Sequence, residues 1–375
     1  MEISYKGAES KKIYDANSSR WHGENYELLD LIFPFVFNPD KINKNRTDLL
    51  RYRQFLPIEN ADDFITFSEG FTPLIPVTFS NGLKAEIKLD FLFPTGSYKD
   101  RGSMVLLSKI KALGIKKITQ DSSGNAGASV AAYAAKAGIQ CEVFLPVETP
   151  LSKVVQIQAF NALVQKINGS RKETAAIAFE AAKSNYYASH SFNPYFFQGT
   201  KTFAYEVMEQ LNWKTPDAVI LPAGNGTLLL GCFIGFSEMF QGGAISKIPK
   251  LIAIQSENCA PLVQLKNNTN FNIQNYIPTD TLAEGIAIPN PIRAKQMLAA
   301  VQDSNGEIIT VNEFEIIEAW KEMASIGYLI EPTSAATIAG LLKYGLGSNQ
   351  TEKIVSLFSG TGLKSMDKIQ KMLNK

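Results

Sequence analysis

The chain has 375 residues, 45% of them apolar, which is enough for a sizeable core and, on length, about two domains. Lys and Arg number 37 and Asp and Glu 36, so the formal net charge is +1 and no field of one sign could recruit nucleic acid or an anionic membrane. The two histidines and three cysteines are too few and too scattered for a disulfide framework or a structural zinc site. We therefore predict a metal-free protein of the reducing cytoplasm.

The first segments of the chain give weaker signals. The polar N-terminus lacks the apolar core of a signal peptide. The most apolar long stretch, residues 218–236, is interrupted by Pro222, Gly224 and Gly226, which argues against a membrane span. Residues 1–65 show no regular period, and we expect an extended or short-helical piece laid over the body of a soluble protein.

From Leu74 onward, strand-like and helix-like segments alternate. The predicted strands are 85–89, 141–145, 186–188, 218–221, 251–254, 308–311 and 354–358. The predicted helices are 102–113, 126–137, 152–163, 174–183, 202–211, 228–240, 291–301, 313–325, 334–342 and 363–373. This alternation predicts an α/β fold of mostly parallel sheets covered by helices. Ligands of such sheets bind at the carboxyl ends of strands, so the chemistry is expected in the strand-to-helix turns.

The first of four polar turns, residues 94–102 (PTGSYKDRG), places Lys99 directly before a predicted helix. The positive field of a helix N-terminus disfavours an ammonium ion, and this favours a nucleophilic amine that forms a Schiff base with a carbonyl. The alternative is a surface lysine paired with Asp100.

The second turn, residues 121–127 (DSSGNAG), brings hydroxyls and a glycine to a helix N-terminus. Ser122 and Ser123 suit a carboxylate ligand, and Asn125 could donate a hydrogen bond to a ring oxygen. Plain capping of the helix by Ser or Asn explains the same residues.

The third turn, residues 221–228 (LPAGNGTL), follows a strand and opens a helix, so its backbone N–H groups could wrap a phosphate. A dinucleotide site is the rival interpretation, but the third glycine is displaced to Gly231, and Glu257 lies farther along than the usual ~20 residues. The fourth turn, residues 356–364 (SLFSGTGLK), offers hydroxyls without formal charge; the alternative is another short turn with a capping hydroxyl.

Together the four turns supply an amine, a carboxylate site, a phosphate site and a polar partner for a ring nitrogen, as a pyridoxal phosphate enzyme acting on an amino acid requires. From Glu69 to Lys364 the chain resembles the fold-type II pyridoxal phosphate enzymes, and within them the threonine synthase branch. The matching motifs are EGFTPL (69–74), PTGSYKDRG (94–102), SSGNA (122–126), GNGTL (224–228) and EPTSAA (331–336).

The resemblance implies two open, mostly parallel twisted sheets flanked by helices, with pyridoxal 5'-phosphate between a large and a small domain. Residues 1–101 would hold the N-terminal segment and the first part of the large domain, residues 102–198 a small mobile domain, and residues 199–375 the remainder of the large domain. The resemblance also implies a homodimer, and the cysteines, the net charge and the interrupted apolar stretch predict a cytoplasmic protein that binds no nucleic acid and no membrane.

The resemblance assigns roles residue by residue. Lys99 would form the Schiff base with the cofactor and act as the general base. The other cofactor contacts would be Asn125, Gly224, Asn225, Gly226, Thr227, Leu228 and Ser359, the last facing the pyridine nitrogen. The substrate contacts would be Ser122, Ser123, Asn125, Ala126, Lys153, His190 and Ser191. A hydroxyl such as that of Ser359 cannot hold the pyridine nitrogen protonated, so the weaker electron sink suits elimination and replacement chemistry.

Three residues depart from the family pattern, and the first two bear on the substrate. Phe196 stands where the branch carries an arginine that helps hold the substrate phosphate, His190 stands where it carries asparagine, and Tyr98 replaces a phenylalanine. The expected activity is conversion of O-phospho-L-homoserine and water to threonine and phosphate. The alternatives are β-elimination or β-replacement on a serine-like amino acid and, from a different class, a non-catalytic amino-acid sensor, against which the intact Lys99 argues.

Overall fold

The computed structural model describes residues 3–268, 270–347 and 351–374, and within them the chain forms thirteen β-strands and twelve α-helices. The chain divides into two compact units, each discontinuous in sequence. Unit 1 is Met1–Gly70 with Lys99–Thr202, and unit 2 is Phe71–Tyr98 with Phe203–Lys375. The N-terminal segment thus groups with residues 99–202, whereas the sequence pattern assigned it to the large domain.

The N-terminal segment opens with strands that were not foreseen. β1 (Ser4–Gly7) pairs antiparallel with β2 (Ile13–Asp15) and with β3 (Leu29–Ile32). Short 3-10 turns fill much of the segment that follows. Trp21 then packs edge-on against Phe179 and Tyr187, with ring centroids 5.2 and 4.9 Å away, and this attaches the segment to the rest of unit 1.

The main sheet of unit 1 has the order β8-β7-β6-β9 among the described residues, and all its pairings are parallel. Its strands are β6 (Lys117–Gln120), β7 (Gln140–Pro146), β8 (Leu163–Ile167) and β9 (Tyr186–Tyr187). The helices of the unit are α1 (Lys99–Ala112), α2 (Asn125–Ala137), α3 (Leu151–Ala159), α4 (Arg171–Ala181) and α5 (Pro194–Thr200).

The sheet of unit 2 has the order β12-β11-β10-β13-β5-β4, as far as the described residues define it. Its strands are β4 (Leu74–Thr78), β5 (Lys84–Lys88), β10 (Ala218–Pro222), β11 (Lys250–Ser256), β12 (Glu307–Val311) and β13 (Ile354–Leu357). β4 is antiparallel to β5, and the other pairings are parallel. The helices are α6 (Thr202–Gln210), α7 (Thr227–Gln241), α8 (Pro261–Asn267), α9 (Ala294–Asp303), α10 (Glu313–Ser325), α11 (Pro332–Gly347) and α12 (Met366–Leu373).

The central strands of unit 2 lie inside its core. Every residue of β10 is buried, and Ile220 and Ile254 pack in one cluster with Ile338 of α11. Strands buried on both faces read as continuous apolar runs, which is the pattern that predicted these elements. In the part of the chain that the structure describes, no helix is long and apolar enough to cross a membrane.

Candidate functional site

The substrate-contact candidates of unit 1 follow three neighbouring parallel strands. Residues 121–124 follow β6, the segment 188–193 follows β9, and Lys153 lies on α3, which follows β7. The side chain of Gln120 donates to the carbonyl of Ala188 (2.9 Å), and the amide of Ala188 donates to the carbonyl of Thr119 (2.9 Å). Because carboxyl ends of parallel strands share one edge, these predicted residues lie along one edge of the sheet.

Residues 122–126 form the turn that leads into α2 and the first residues of that helix. The amide of Gly124 donates to Ser122 Oγ (3.3 Å), and Gly124 caps the helix without a side-chain hydrogen bond. A Cβ at position 127 would lie 1.8 Å from the carbonyl oxygen of Ser122, so only glycine allows this turn. The first N–H groups of a helix have no partner within the helix, which makes them donors for a carboxylate. The sequence pattern identified the loop but not the need for Gly127.

Lys99 is the first residue of α1 and is half-buried. His190 is buried in the same unit, with 8% of its surface exposed. Burial, and secondarily the charge of Lys99, lowers the pKa of His190 to about 3. The imidazole is therefore neutral at neutral pH and offers hydrogen bonds but no positive charge.

Phe196, at the position where the resembled family carries arginine, is a core residue of unit 1. Its side chain is fully buried, and a Cβ at Gly102 would lie 2.3 Å from the ring. The ring of His190 meets that of Phe196 edge-on, with centroids 5.9 Å apart. The ring thus packs on the backbone of α1, three residues beyond Lys99, and sequence spacing gave no signal of this contact.

The cofactor-contact candidates of unit 2 also follow adjacent parallel strands. The turns at 223–226, 358–361 and 89–98 follow β10, β13 and β5 respectively. The amide of Tyr98 donates to the carbonyl of Ser359 (3.0 Å), and that of Thr361 donates to the carbonyl of Gly96 (3.0 Å). These bonds join the turn that precedes Lys99 in the chain to the turn that carries Ser359.

The turn between β10 and α7 depends on two glycines. Gly226 caps α7 with φ +74°, and a Cβ there would lie 2.2 Å from the sulfur of Met297. A Cβ at Gly224 would lie 2.7 Å from the carbonyl oxygen of Gly285. Asn225 is half-buried, whereas Thr227 and Leu228 are buried in the first turn of the helix. Among the described residues no side chain caps α7, so the backbone N–H groups of its first turn are donors for an anion.

Ser359 is buried in a polar cluster that the sequence did not reveal. Its hydroxyl donates to Glu331 Oε1 (2.8 Å) and lies 3.0 Å from Ser334 Oγ, and the amide of Gly360 donates to Ser334 Oγ (3.1 Å). A Cβ at Gly360 would lie 2.4 Å from the carboxylate of Glu331. The EPTSAA motif thus supplies the partners of Ser359, and the motif was the available signal.

The residues fit pyridoxal phosphate chemically. The glycine turn at the start of α7 suits a phosphate. The Ser359 hydroxyl suits a ring nitrogen if its proton turns from Glu331 Oε1 to that nitrogen. Ser97 Oγ is buried and has no hydrogen-bond partner among the described residues, and a buried polar atom of this kind requires one. Lys99 supplies the primary amine that a cofactor aldehyde needs.

Comparison with known proteins identifies the family. Residues 65–360 match the family described as "Pyridoxal-phosphate dependent enzyme". The chain belongs to this family. Threonine synthase from Methanocaldococcus jannaschii is 34% identical over 95% of this chain and 91% of its own length. Threonine synthase from Methanosarcina acetivorans is 34% identical over 84% of this chain and 80% of its own length.

Two solved structures show the same fold. The processed form of threonine deaminase isoform 2 from Solanum lycopersicum superposes with a TM-score of 0.69, at 22% identity, over 91% of each chain. A fungal L-serine ammonia-lyase from Rhizomucor miehei superposes with a TM-score of 0.70, at 19% identity, over 82% of this chain and 98% of its own. The predicted α/β fold, the pyridoxal phosphate cofactor and the lyase class are confirmed by these comparisons.

Proposed function

We propose that this pyridoxal-phosphate dependent enzyme is a threonine synthase, which converts O-phospho-L-homoserine and water to L-threonine and phosphate. The observation that carries the proposal is the 34% identity to an archaeal threonine synthase over nearly the whole of both chains. The loops carrying the predicted contacts also follow neighbouring strands within each unit, which supports a shared role for each set.

Lys99 would hold the cofactor through its primary amine and would carry protons at Cα and Cβ of the substrate. When bound, pyridoxal phosphate supplies the electron sink that stabilises negative charge at Cα. Residues 224–228 would bind the cofactor phosphate, Asn125 would donate to the ring oxygen, and Ser359 would serve the pyridine nitrogen. With these roles assigned to the other residues, Lys99 is the residue that carries protons at the site.

The substrate contacts divide between its two anionic ends. The hydroxyls of Ser122 and Ser123 and the backbone at Ala126 bind the carboxylate at the N-terminus of α2. Lys153 and Ser191 hold the leaving phosphate. His190 assists as a neutral hydrogen-bonding group, since burial keeps its imidazole uncharged, so Lys153 supplies the positive charge.

The decisive experiment incubates the holoenzyme with O-phospho-L-homoserine and measures threonine and inorganic phosphate. We expect equal amounts of the two products, and their loss in Lys99→Ala. Lys153→Met, which keeps the length of the side chain but not its charge, should raise the KM for the phosphorylated substrate more than it lowers kcat. No threonine above the blank from an enzyme with a normal cofactor absorption band would contradict the proposal.

A second candidate is β-elimination or β-replacement on a serine-like amino acid, and the environment of Phe196 favours it. The aromatic ring is fully buried against Gly102 and the neighbouring His190 is uncharged, so neither supplies a cation for a phosphate. Assays with L-serine for 2-oxoacid release, and with O-acetyl-L-serine plus sulfide for cysteine, test this candidate. Turnover of either substrate exceeding that of O-phospho-L-homoserine would replace the leading proposal.

Localisation and oligomeric state are proposed from the cysteines and from the family resemblance. The cysteines Cys141, Cys232 and Cys259 are buried and form no disulfide in the described residues, which supports a reducing cytoplasm. The family resemblance supports a homodimer, and light scattering on the purified holoenzyme measures its mass. A visible absorption band that changes on adding an amino acid substrate separates an enzyme from a non-catalytic sensor.

A further inference from the structure

Tyr98 stands where the resembled family carries phenylalanine, and its hydroxyl makes a contact that phenylalanine cannot make. Tyr98 is 8% exposed and ends the turn that follows β5, directly before Lys99 in the chain. Its Oη lies 2.8 Å from Thr227 Oγ1. Its amide donates to the carbonyl of Ser359. A single residue therefore contacts both turns to which cofactor contacts were assigned in unit 2.

The chemistry of the two hydroxyls fixes the direction of the bond once a phosphate is bound. A threonine hydroxyl has one proton to donate and two lone pairs to accept with. If Thr227 donates its proton to a phosphate oxygen, the bond to Tyr98 can form only with the phenol as donor. Burial raises the pKa of Tyr98 well above its ordinary value, so the phenol retains the proton that it must donate.

Thr227 is the first residue of α7, and Gly226 caps the helix in the left-handed region without a side-chain hydrogen bond. Thr227 is 1% exposed, so its contact with Tyr98 is protected from competition by solvent.

We propose that Tyr98 is a positioning residue of the cofactor site, whose phenol donates to Thr227 and thereby directs the Thr227 hydroxyl toward the cofactor phosphate. The inference rests on the proposed role of residues 224–228 in binding that phosphate. Its consequence is tighter retention of pyridoxal phosphate than the same site would achieve with phenylalanine at position 98.

The test compares two cofactor forms on the apoenzyme: pyridoxal 5'-phosphate, and pyridoxal, which lacks the phosphate. Tyr98→Phe should raise the Kd for pyridoxal phosphate about 3- to 10-fold, in line with the loss of one buried neutral hydrogen bond, and leave the Kd for pyridoxal unchanged. Tyr344→Phe is the matched control, because Tyr344 is also 8% exposed in unit 2 and donates to Glu352 (2.9 Å). It should alter neither Kd.

Thr227→Val, which removes the hydroxyl at nearly constant shape, distinguishes the phosphate-binding role of residues 224–228 from the positioning role of Tyr98. Thr227→Val alone should raise the Kd for pyridoxal phosphate and leave the Kd for pyridoxal unchanged. Adding Tyr98→Phe to it should then raise the Kd for pyridoxal phosphate no further. If Thr227→Val leaves the Kd for pyridoxal phosphate unchanged, the phosphate-loop assignment fails and the inference fails with it. If Thr227→Val weakens the binding of pyridoxal phosphate but Tyr98→Phe does not, only the role of Tyr98 is overturned. The same holds if Tyr98→Phe weakens the binding of both cofactor forms equally. No outcome depends on threonine formation, so the substrate proposal stands or falls separately.

Discussion

The neutral state of His190 follows from where the residue lies in unit 1. Burial removes water from the imidazole, and the nearby ammonium of Lys99 further disfavours a second positive charge. The sequence identified His190 as the histidine on the substrate-facing stretch. It could not give the charge, because the pKa depends on burial and neighbours that residue spacing does not show.

This lowered pKa predicts an acid-sensitive stability. The pKa of His190 is about 3 in the folded protein and has an ordinary value of 6.5, so the unfolded chain binds more protons between these pH values. The contribution of neutral His190 to the free energy of unfolding is complete above pH 6.5 and is lost as the pH falls toward 3. In this range the free energy of unfolding falls by at most about 1.4 kcal/mol per pH unit. His190→Asn should therefore lose less stability than wild type between pH 7 and pH 5 in urea unfolding. His22→Asn is the matched control, and an unchanged slope in His190→Asn would refute the prediction.

The contact between Gly102 and Phe196 gives a second prediction for single residues. Helix propensity alone would make Gly102→Ala stabilising by about 1 kcal/mol within α1. The Phe196 ring reverses this sign, because the new Cβ would lie 2.3–2.5 Å from three ring atoms, and overpacking costs about 1–3 kcal/mol. Thermal unfolding should show Gly102→Ala less stable than wild type, and Phe196→Leu should recover part of the loss when the two are combined.

Gly347→Ala is the control for this prediction. Gly347 lies at the end of α11, and no atom of the described residues lies within 4 Å of its would-be Cβ. It should be neutral or slightly stabilising. A loss in the double variant equal to the sum of the single losses would show that the Phe196 ring is not the cause.

At the scale of elements, a buried ion pair joins β5 to α6 within unit 2. Lys88 Nζ lies 2.7 Å from Glu206 Oε2, and both side chains are fully buried. Lys88 also donates to the carbonyl of Thr72 (2.5 Å) and to Gln210 Oε1 (2.6 Å). Glu206 Oε1 accepts the amide of Phe71 (2.9 Å), a residue with φ +45°. The pair thus holds Phe71 and Thr72 of the EGFTPL motif against β5 and α6.

Removing one partner of this pair should cost more than removing both. Glu206→Leu leaves the Lys88 ammonium buried without its carboxylate, and we expect a loss of about 3–5 kcal/mol in the free energy of unfolding. Lys88→Met with Glu206→Leu should recover much of this loss, since no unpaired charge remains. Denaturant unfolding of both single variants and the double variant measures the difference. A double variant no more stable than Glu206→Leu would contradict the prediction.

The sequence-based strands are most accurate where a strand is a continuous apolar run. The segments predicted at 218–221 and 251–254 lie within observed strands, because burial of these central strands imposes such a run. The segment predicted at 308–311 also lies within a strand, β12, although that strand is at the edge of the sheet and mostly half-buried. β4, β6 and β8 were missed. β8 is an edge strand whose residues are all exposed or half-buried, and its two polar residues interrupt the apolar run that marks a buried strand.

The helix predicted over residues 152–163 was wrong in its last turn. α3 ends at Ala159, Asn161 takes the left-handed conformation at φ +57°, and Leu163 begins β8. Asparagine tolerates this conformation and so allows a tight turn. The three-stranded antiparallel arrangement of β1, β2 and β3 was also missed, because these strands are short and their period-2 pattern is weak.

At the scale of the whole molecule, the sheet of unit 2 is assembled from distant parts of the sequence. β5 pairs with β13 in the register Glu86↔Val355 and Lys88↔Leu357, although more than 260 residues separate them. Closing so long a loop is entropically unfavourable until both ends are packed. The topology could not be read from the order of elements, because crossovers of this length leave no local signal.

This topology predicts that residues 203–375 do not fold alone. Without residues 71–98, β13 loses its parallel neighbour and exposes a strand edge, the core loses the buried side chains of Val77 and Ile87, and Glu206 keeps a buried charge without Lys88. We expect the isolated fragment to aggregate or to show no cooperative unfolding by circular dichroism. Fusing residues 71–98 to its N-terminus through a flexible Gly/Ser linker of about 20 residues should restore a single cooperative transition.

The same fusion with Ile87→Asp is the control for this prediction, because it keeps the length and the linker but places a carboxylate at a fully buried position of β5. It should behave like the fragment without residues 71–98, since an unpaired buried charge removes the gain from the added strands. Cooperative unfolding of residues 203–375 on their own would show that β4 and β5 are dispensable for this unit. In that case β13 would have to be stable as an edge strand, with β10 as its single neighbour.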